Sequence, residues 1–193
     1  MVARKHFLIN GLGVLALVLA AVVAAISISG QAAARGDHND KAEVRLRNAA
    51  GVEIGKVTFK QERDGVNVEV DVHGLTPGFH GFHVHTVGSC VGPDFVSAGG
   101  HFNMAGHNHP MHSGDMVSLL VNPDGSAEAS FTTGGFKVTD LFDADGSAVI
   151  VHAGPDNFAN IPVRYAPNGP DATTLATGDS GARTACGIVE RDN

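Results

Sequence analysis

Two histidines one residue apart give the first sign of chemistry in this sequence. In Gly81-Phe82-His83-Val84-His85, strand alternation puts both imidazoles on one face and Phe82 and Val84 on the other. At ~3.3 Å per residue the two rings stand about 6.6 Å apart, near enough to grip one metal ion. Two solvent-facing histidines would leave the same trace, so the pair alone does not decide. A denser cluster follows in a glycine-rich stretch: His101, His109, His112 and Asp115. Three imidazoles and a carboxylate make a four-coordinate set suited to Zn²⁺, and the steps of three from His109 to His112 to Asp115 let a tight turn converge them. A hydrated polar loop is the bland alternative, disfavoured by that density of ligand types. His107 competes with His109, and the spacing from His101 favours His109. His152 closes the apolar run Ala148-Val149-Ile150-Val151; alone it reads as a core or edge residue, and it counts as a ligand only in company.

These side chains need a rigid frame, and the sequence around them is written for strands. Val66, Val68, Val70 and Val72 alternate with Asn67, Glu69 and Asp71, a period of two rich in β-branched residues. Val44–Leu46 and Val57 with Phe59 follow the same rule. Further strands are expected at Phe82–His85, Met116–Val121, Ala127–Thr132, Ala148–His152 and Cys186–Glu190. Turn signals at Ala50-Gly51, Asp64-Gly65, Pro123-Asp124-Gly125 and Asp145-Gly146 separate them. About eight short strands imply an all-β antiparallel sandwich or barrel. Two stretches break the pattern, Val87 to Gly114 and Ala153 to Arg183. Unstructured segments that long inside a compact domain tend to be functional, so the design reads as a stiff scaffold carrying a site on two long loops.

Composition narrows the class. With 25 Gly, 8 Pro and few helix-forming runs, an all-α bundle is excluded. The first 34 residues hold Arg4 and Lys5, no acid, and an apolar run from Phe7 to Ser29. They read as an export signal with small residues at Ala32-Ala33-Ala34, or as an uncleaved N-terminal membrane anchor, since the run is long enough to span a bilayer. Either reading puts the globular part outside the cytoplasm, secreted or in the cell envelope. Residues 35–42 are then a short linker and 43–193 the functional domain. Beyond residue 34 there are 20 acids against 11 bases, a formal charge of −9. That balance argues against nucleic acid as a partner. Cys90 and Cys186 are an even count in an exported chain, where thiols oxidise; two unpaired buried cysteines remain the alternative.

Five motifs, in order, carry a resemblance: Gly-Phe-His-Val-His at 81–85, Gly-Gly-His-Phe-Asn at 99–103, Ser-Gly-Asp at 113–115, Val-Ile-Val-His at 149–152, and Gly-Ala-Arg-Thr-Ala-Cys-Gly at 181–187. Together they resemble the copper–zinc superoxide dismutases in their exported bacterial form, over residues 43 to 190. The resemblance implies an eight-stranded antiparallel Greek-key sandwich or barrel and a superoxide dismutase using copper and zinc. It makes His83, His85 and His152 copper ligands, His101 the histidine bridging both metals, and His109, His112 and Asp115 the other zinc ligands. Asp156 matches the outer carboxylate linking the two sites, Cys90 and Cys186 the disulfide, Arg183 the guanidinium over the copper channel, and Thr177 the hydroxyl narrowing it. His80 becomes a packing histidine, while His73 and His38 read as ordinary surface or strand positions.

The chemistry suits the residues. Superoxide must act once as reductant and once as oxidant, which zinc cannot mediate and imidazole-bound copper can. In the family's mechanism superoxide leaves first as O2, and protons from His101 and water then complete H2O2. Two departures matter. Only two residues separate His109 from His112, so zinc binding is expected to be weaker or differently shaped. The second loop is long and lacks a lysine cluster, so guidance of an anion is expected to be weak. A copper-binding or storage module on the same fold and a copper-only dismutase are the competing functions. A copper buffer needs neither Arg183 nor the His101 bridge. The sequence leaves the oligomeric state, monomer or homodimer, open.

Overall fold

A computed structural model describes residues 40–192. The expected export or anchor segment, most of the expected linker, and His38 lie outside the described residues. No helix among the described residues is long and apolar enough to cross a membrane.

Nine strands occur in the described residues: β1 Lys41–Asn48, β2 Glu53–Glu62, β3 Gly65–Val72, β4 Gly78–His80, β5 Phe82–His85, β6 Leu119–Val121, β7 Ala127–Thr133, β8 Ala148–His152 and β9 Arg183–Arg191. Gly81 alone separates β4 from β5, so these are two halves of one broken strand, and eight strands result as the sequence implies. Seven form a curled antiparallel sheet in the order β5-β8-β9-β1-β2-β3-β7, while β4 pairs with β6. The broken strand, β6 and β7 follow one another, and β8 then returns to lie beside β5, which is a Greek-key path.

Alternation fills the interior. Val66, Val68, Val70 and Val72 of β3 are buried together with Ala42, Val44 and Leu46 of β1, and Phe59 of β2 meets Phe136 edge to face at 5.6 Å. In β2 the phase slips between Ile54 and Val57, both buried. Gly55 stands at the slip with φ +135°, where a Cβ would run into the Asp71 carbonyl. The β1–β2 register shifts opposite it, between Leu46 and Arg47, as a β-bulge requires.

Three boundaries differ from expectation. β1 begins at Lys41, two residues before the expected domain start, because Ala42 is fully buried and pairs with Phe59 and Arg191. β9 extends to nine residues because it is paired on both edges, with β8 and β1. β6 is confined to Leu119–Val121, and Met116, though buried, belongs to the preceding loop.

Two long loops, 86–118 and 153–182, leave this frame. The first docks on the free edge of β5: Val84 N–H donates to the Gly114 carbonyl at 2.9 Å, Phe102 N–H to the Val84 carbonyl at 2.8 Å, and Thr86 N–H to the Gly100 carbonyl at 3.0 Å. Gly114 permits this closeness, since a Cβ there would collide with the Val84 carbonyl and Phe102. The Cys90–Cys186 disulfide, Cα–Cα 5.7 Å, fastens the same loop to β9. Phe95, Ala98, Ala148, Ile150 and Cys186 form a small second core beneath it. The other loop carries the one-turn helix α1, Thr174–Thr177.

Candidate metal centre

Strand geometry sets the first group of side chains. Phe82 and Val84 enter the core while His83 and His85 leave β5 on its other face, all four buried. β8 pairs antiparallel with β5, Phe82 opposite Val151, and His152 at its end lies across from Gly81, to whose carbonyl its N–H donates at 2.8 Å. His101 comes in from the loop through a bridge to His85, and Asp115 through a bridge to His83.

Hydrogen bonds fix which nitrogen of each ring is bare. His85 Nδ1–H donates to the Gly99 carbonyl at 3.0 Å and His152 Nδ1–H to the Gly181 carbonyl at 3.2 Å. His83 Nε2–H and His109 Nε2–H donate to the two oxygens of Asp156, at 2.7 and 2.8 Å. An acceptor-only partner forces the proton onto the facing nitrogen and leaves a lone pair on the other. In the neutral rings the bare atoms are His83 Nδ1, His85 Nε2, His101 Nε2, His109 Nδ1 and His152 Nε2, and all five are buried with no hydrogen-bond partner. Orphaned polar atoms in a protein interior are costly, and five in one place require an occupant.

They fall into two groups that share one ring. Donor atoms of His83, His85, His101 and His152 lie within 4.8 Å of one another. On the far side of His101, its Nδ1 is 2.8 Å from Asp115 Oδ1 and 3.4 Å from His112 Nδ1. His112 Nδ1 is 3.2 Å from Asp115 Oδ2, and His109 Nδ1 is 3.0 Å from the same oxygen, though out of line for a hydrogen bond. His83 also falls within 4.8 Å of His101, His109 and Asp115. Its Nε2 is committed to Asp156 and its bare Nδ1 to the first group, so we assign the second group to His101, His109, His112 and Asp115.

The electrostatics divide along the same line. Burial pulls His83 down to about 4 and His152 to about 3, and pushes His85 well below 6.5. These imidazoles are neutral, the form that ligates metal. Burial also lowers His112, with the Asp115 charge opposing. At His109 burial is outweighed by the carboxylates of Asp115 and Asp156, and the ring is pushed up to about 9. Burial works against ionisation of Asp115 and Asp156 too, but the surrounding histidines hold both well below the carboxylate range. Two buried anions facing a cluster of nitrogens suit a divalent cation.

All of the sequence-predicted donors meet. His109 rather than His107 joins them: His109 is buried, whereas His107 is exposed with its backbone clamped by the Asn103 side chain. His80 is a packing residue, its Nδ1 2.6 Å from the His152 carbonyl and its Nε2 2.7 Å from the Thr76 carbonyl. A funnel of about 460 Å³ leads down to His85, His101 and His152, with Arg183, Thr177, Thr173 and Asp179 in its walls. The Arg183 guanidinium donates to the Phe95 and Gly99 carbonyls, each at 2.6 Å. The Thr177 hydroxyl is occupied within its own helix, donating to the Thr173 carbonyl and accepting from Asp179 N–H. Sequence reasoning missed Gly178, at φ +58°, where a Cβ would strike Asp156 and His109. No residue type or spacing betrays such a requirement for empty space.

Comparison with known proteins agrees with this geometry. The family model described as copper/zinc superoxide dismutase matches residues 53–189. The chain belongs to the copper/zinc superoxide dismutase family. It is 46% identical over 154 residues to a superoxide dismutase [Cu-Zn] of Mycolicibacterium paratuberculosis, covering 72% of this chain and 68% of that one. It is 44% identical over 157 residues to a protein of the same name from Mycobacterium tuberculosis, covering 72% and 65%. The chain thus spans about two thirds of the length of these relatives. Among solved structures, the Cu/Zn superoxide dismutase from Brucella abortus superposes with a TM-score of 0.62 at 30% identity, covering 78% of this chain and 99% of that one. A SOD-like protein from Bacillus subtilis gives 0.62 at 33%, covering 76% and 96%.

Proposed function

We propose that this chain dismutes superoxide to O2 and H2O2, with copper held by His83, His85, His101 and His152 and zinc by His101, His109, His112 and Asp115. The observation that carries this reading is the set of five buried, unpartnered imidazole nitrogens divided between two groups that share His101. Copper on imidazoles supplies a centre that changes by one electron, which zinc does not.

The chain's own residues do the rest. Arg183, permanently cationic and braced by two carbonyls, presents its remaining N–H donors to an anion in the funnel. Thr173 and Thr177 narrow the walls and exclude bulkier anions. His101 Nε2, buried at the funnel floor without a protein partner, is the atom that would carry a proton to the reduced substrate when copper does not occupy it. Asp156 keeps the His83 and His109 rings aimed, so both groups hold their geometry through a single carboxylate. Purified protein loaded with both metals is expected to suppress superoxide-driven dye reduction, and chelated apoprotein not to. Full metal content without suppression leaves a copper-storage module. Activity with copper and no zinc leaves a copper-only enzyme.

We further propose that residues 1–34 export or anchor the chain and that the domain works outside the cytoplasm. The Cys90–Cys186 bond supports this, because disulfides persist in oxidising compartments. Fractionation of cells with mass measurement of the N-terminus tests it. A full-length cytosolic chain with free thiols would remove it.

A further inference from the structure

The funnel is not the only opening at the metal centre. A crevice of about 300 Å³ lies between the first loop, the end of β7 and the second loop, and reaches Asp115. It shares no lining residue with the funnel. Its walls are mostly apolar, including Pro110, Val117, Phe131 and Phe158, so Asp115 is the one charged group in it.

Phe158 stands between the crevice and the histidines. Its ring stacks on that of His109 with centroids 6.4 Å apart and planes 20° from parallel. Phe158 remains 41% exposed, whereas the His109 side chain beneath it is fully buried. The backbone is pinned: Phe158 N–H donates to Asp156 Oδ1 at 2.7 Å, and Ala159 N–H to Asn157 Oδ1 at 2.8 Å. Phe158 adopts φ +53°, a left-handed conformation that a bulky residue takes only when its surroundings impose it. Strain of this kind gathers at ligand clamps and switches. Fixed at the backbone and half-free at the ring, the residue has the build of a cover that opens by side-chain rotation.

We propose that Phe158 gates a zinc-side opening, separate from the copper funnel, through which a divalent cation enters and leaves the His101, His109, His112 and Asp115 group. This rests on the zinc reading above. The Asp115 carboxylate draws the cation along an otherwise apolar passage, and the Phe158 ring must swing off His109 before its Nδ1 can be reached. The two metals then exchange by different doors.

The test uses the full chain loaded with copper and zinc, following zinc transfer to a chromogenic chelator and copper by its visible absorption. Phe158→Ala is expected to speed zinc release roughly tenfold, the factor for removing a barrier the size of one aromatic stacking contact. Zinc uptake by the apoprotein should accelerate equally, because a gate changes both rates and leaves affinity alone. The copper band should persist with unchanged loss. Thr132→Trp, which fills the crevice from a β7 position that is not itself a ligand, should slow zinc exchange in both directions. Unchanged zinc rates in both variants, faster release with unchanged uptake, or copper loss rising in step with zinc would each overturn the gate. A chain that takes up copper but no zinc removes the zinc reading itself, and the gate falls with it.

Discussion

The two halves of the centre are built differently. His83, His85 and His152 stand on β5 and β8, whose backbones are locked in an antiparallel ladder and whose alternate side chains are core. His109, His112 and Asp115 stand on a loop that docks on β5 through Gly114 and the Asp115–His83 bridge and is tied further by bonds among the ligands and to Asp156. Where strands place the donors, burial dominates their titration and leaves them neutral. On the loop, carboxylates prevail at His109 while burial still lowers His112, and Asp115 brings a charge that a cation would balance. The first half is prepared by the fold, while the second depends on what it binds.

The sharpest way to break this contrast is His85→Ala. Losing a direct copper donor should weaken copper by more than about 100-fold, beyond the 10–100-fold typical of an outer partner, and take activity with it. Zinc content, read by metal analysis, should hold. Loss of both metals together would show that the halves are not separable. Next, Asp156→Ala is expected to weaken zinc by about 10–100-fold and copper by less, since the His83 ring is still held by β5. Equal losses in competition titrations would erase the distinction between strand and loop. Arg183→Ala touches neither donor group; kcat/KM for superoxide should fall by about tenfold with copper unchanged. An unchanged rate at low salt would remove Arg183 from the mechanism. Smallest is Asp179→Asn, which neutralises an acid at the funnel mouth and should raise kcat/KM by about twofold at low salt, with the gain fading as salt screens the mouth. No gain would mean that the field at the mouth is set elsewhere.

The same division governs what could be read from the chain. The valines of β3 announce their strand because one face is core and the other solvent, and His83-Val84-His85 announces its face by the same alternation. The loop donors are legible as ligand types at high density, and His109, which spacing from His101 favours over His107, is also the buried one and the one bonded to Asp156. β4 leaves no trace in the sequence because three residues between Pro77 and Gly81 carry no period. Met116 to Ser118 read as strand because their neighbours are apolar, yet Asp115 must turn toward the histidines, which delays pairing until Leu119. The braces on Arg183 are backbone carbonyls of Phe95 and Gly99, and the clearance at Gly178 is a missing atom. Neither is a property of residue type.

Arg183 and Cys186 lie three positions apart on β9, and both are tied to the first loop, one through carbonyls at 95 and 99, the other through sulfur at 90. The guanidinium therefore follows that segment's posture. Reduction of the sulfur bridge removes one of two rivets joining the same plates, and the anion-facing group loses its aim while the barrel beneath is still whole. A reductant should blunt turnover well before it melts the protein.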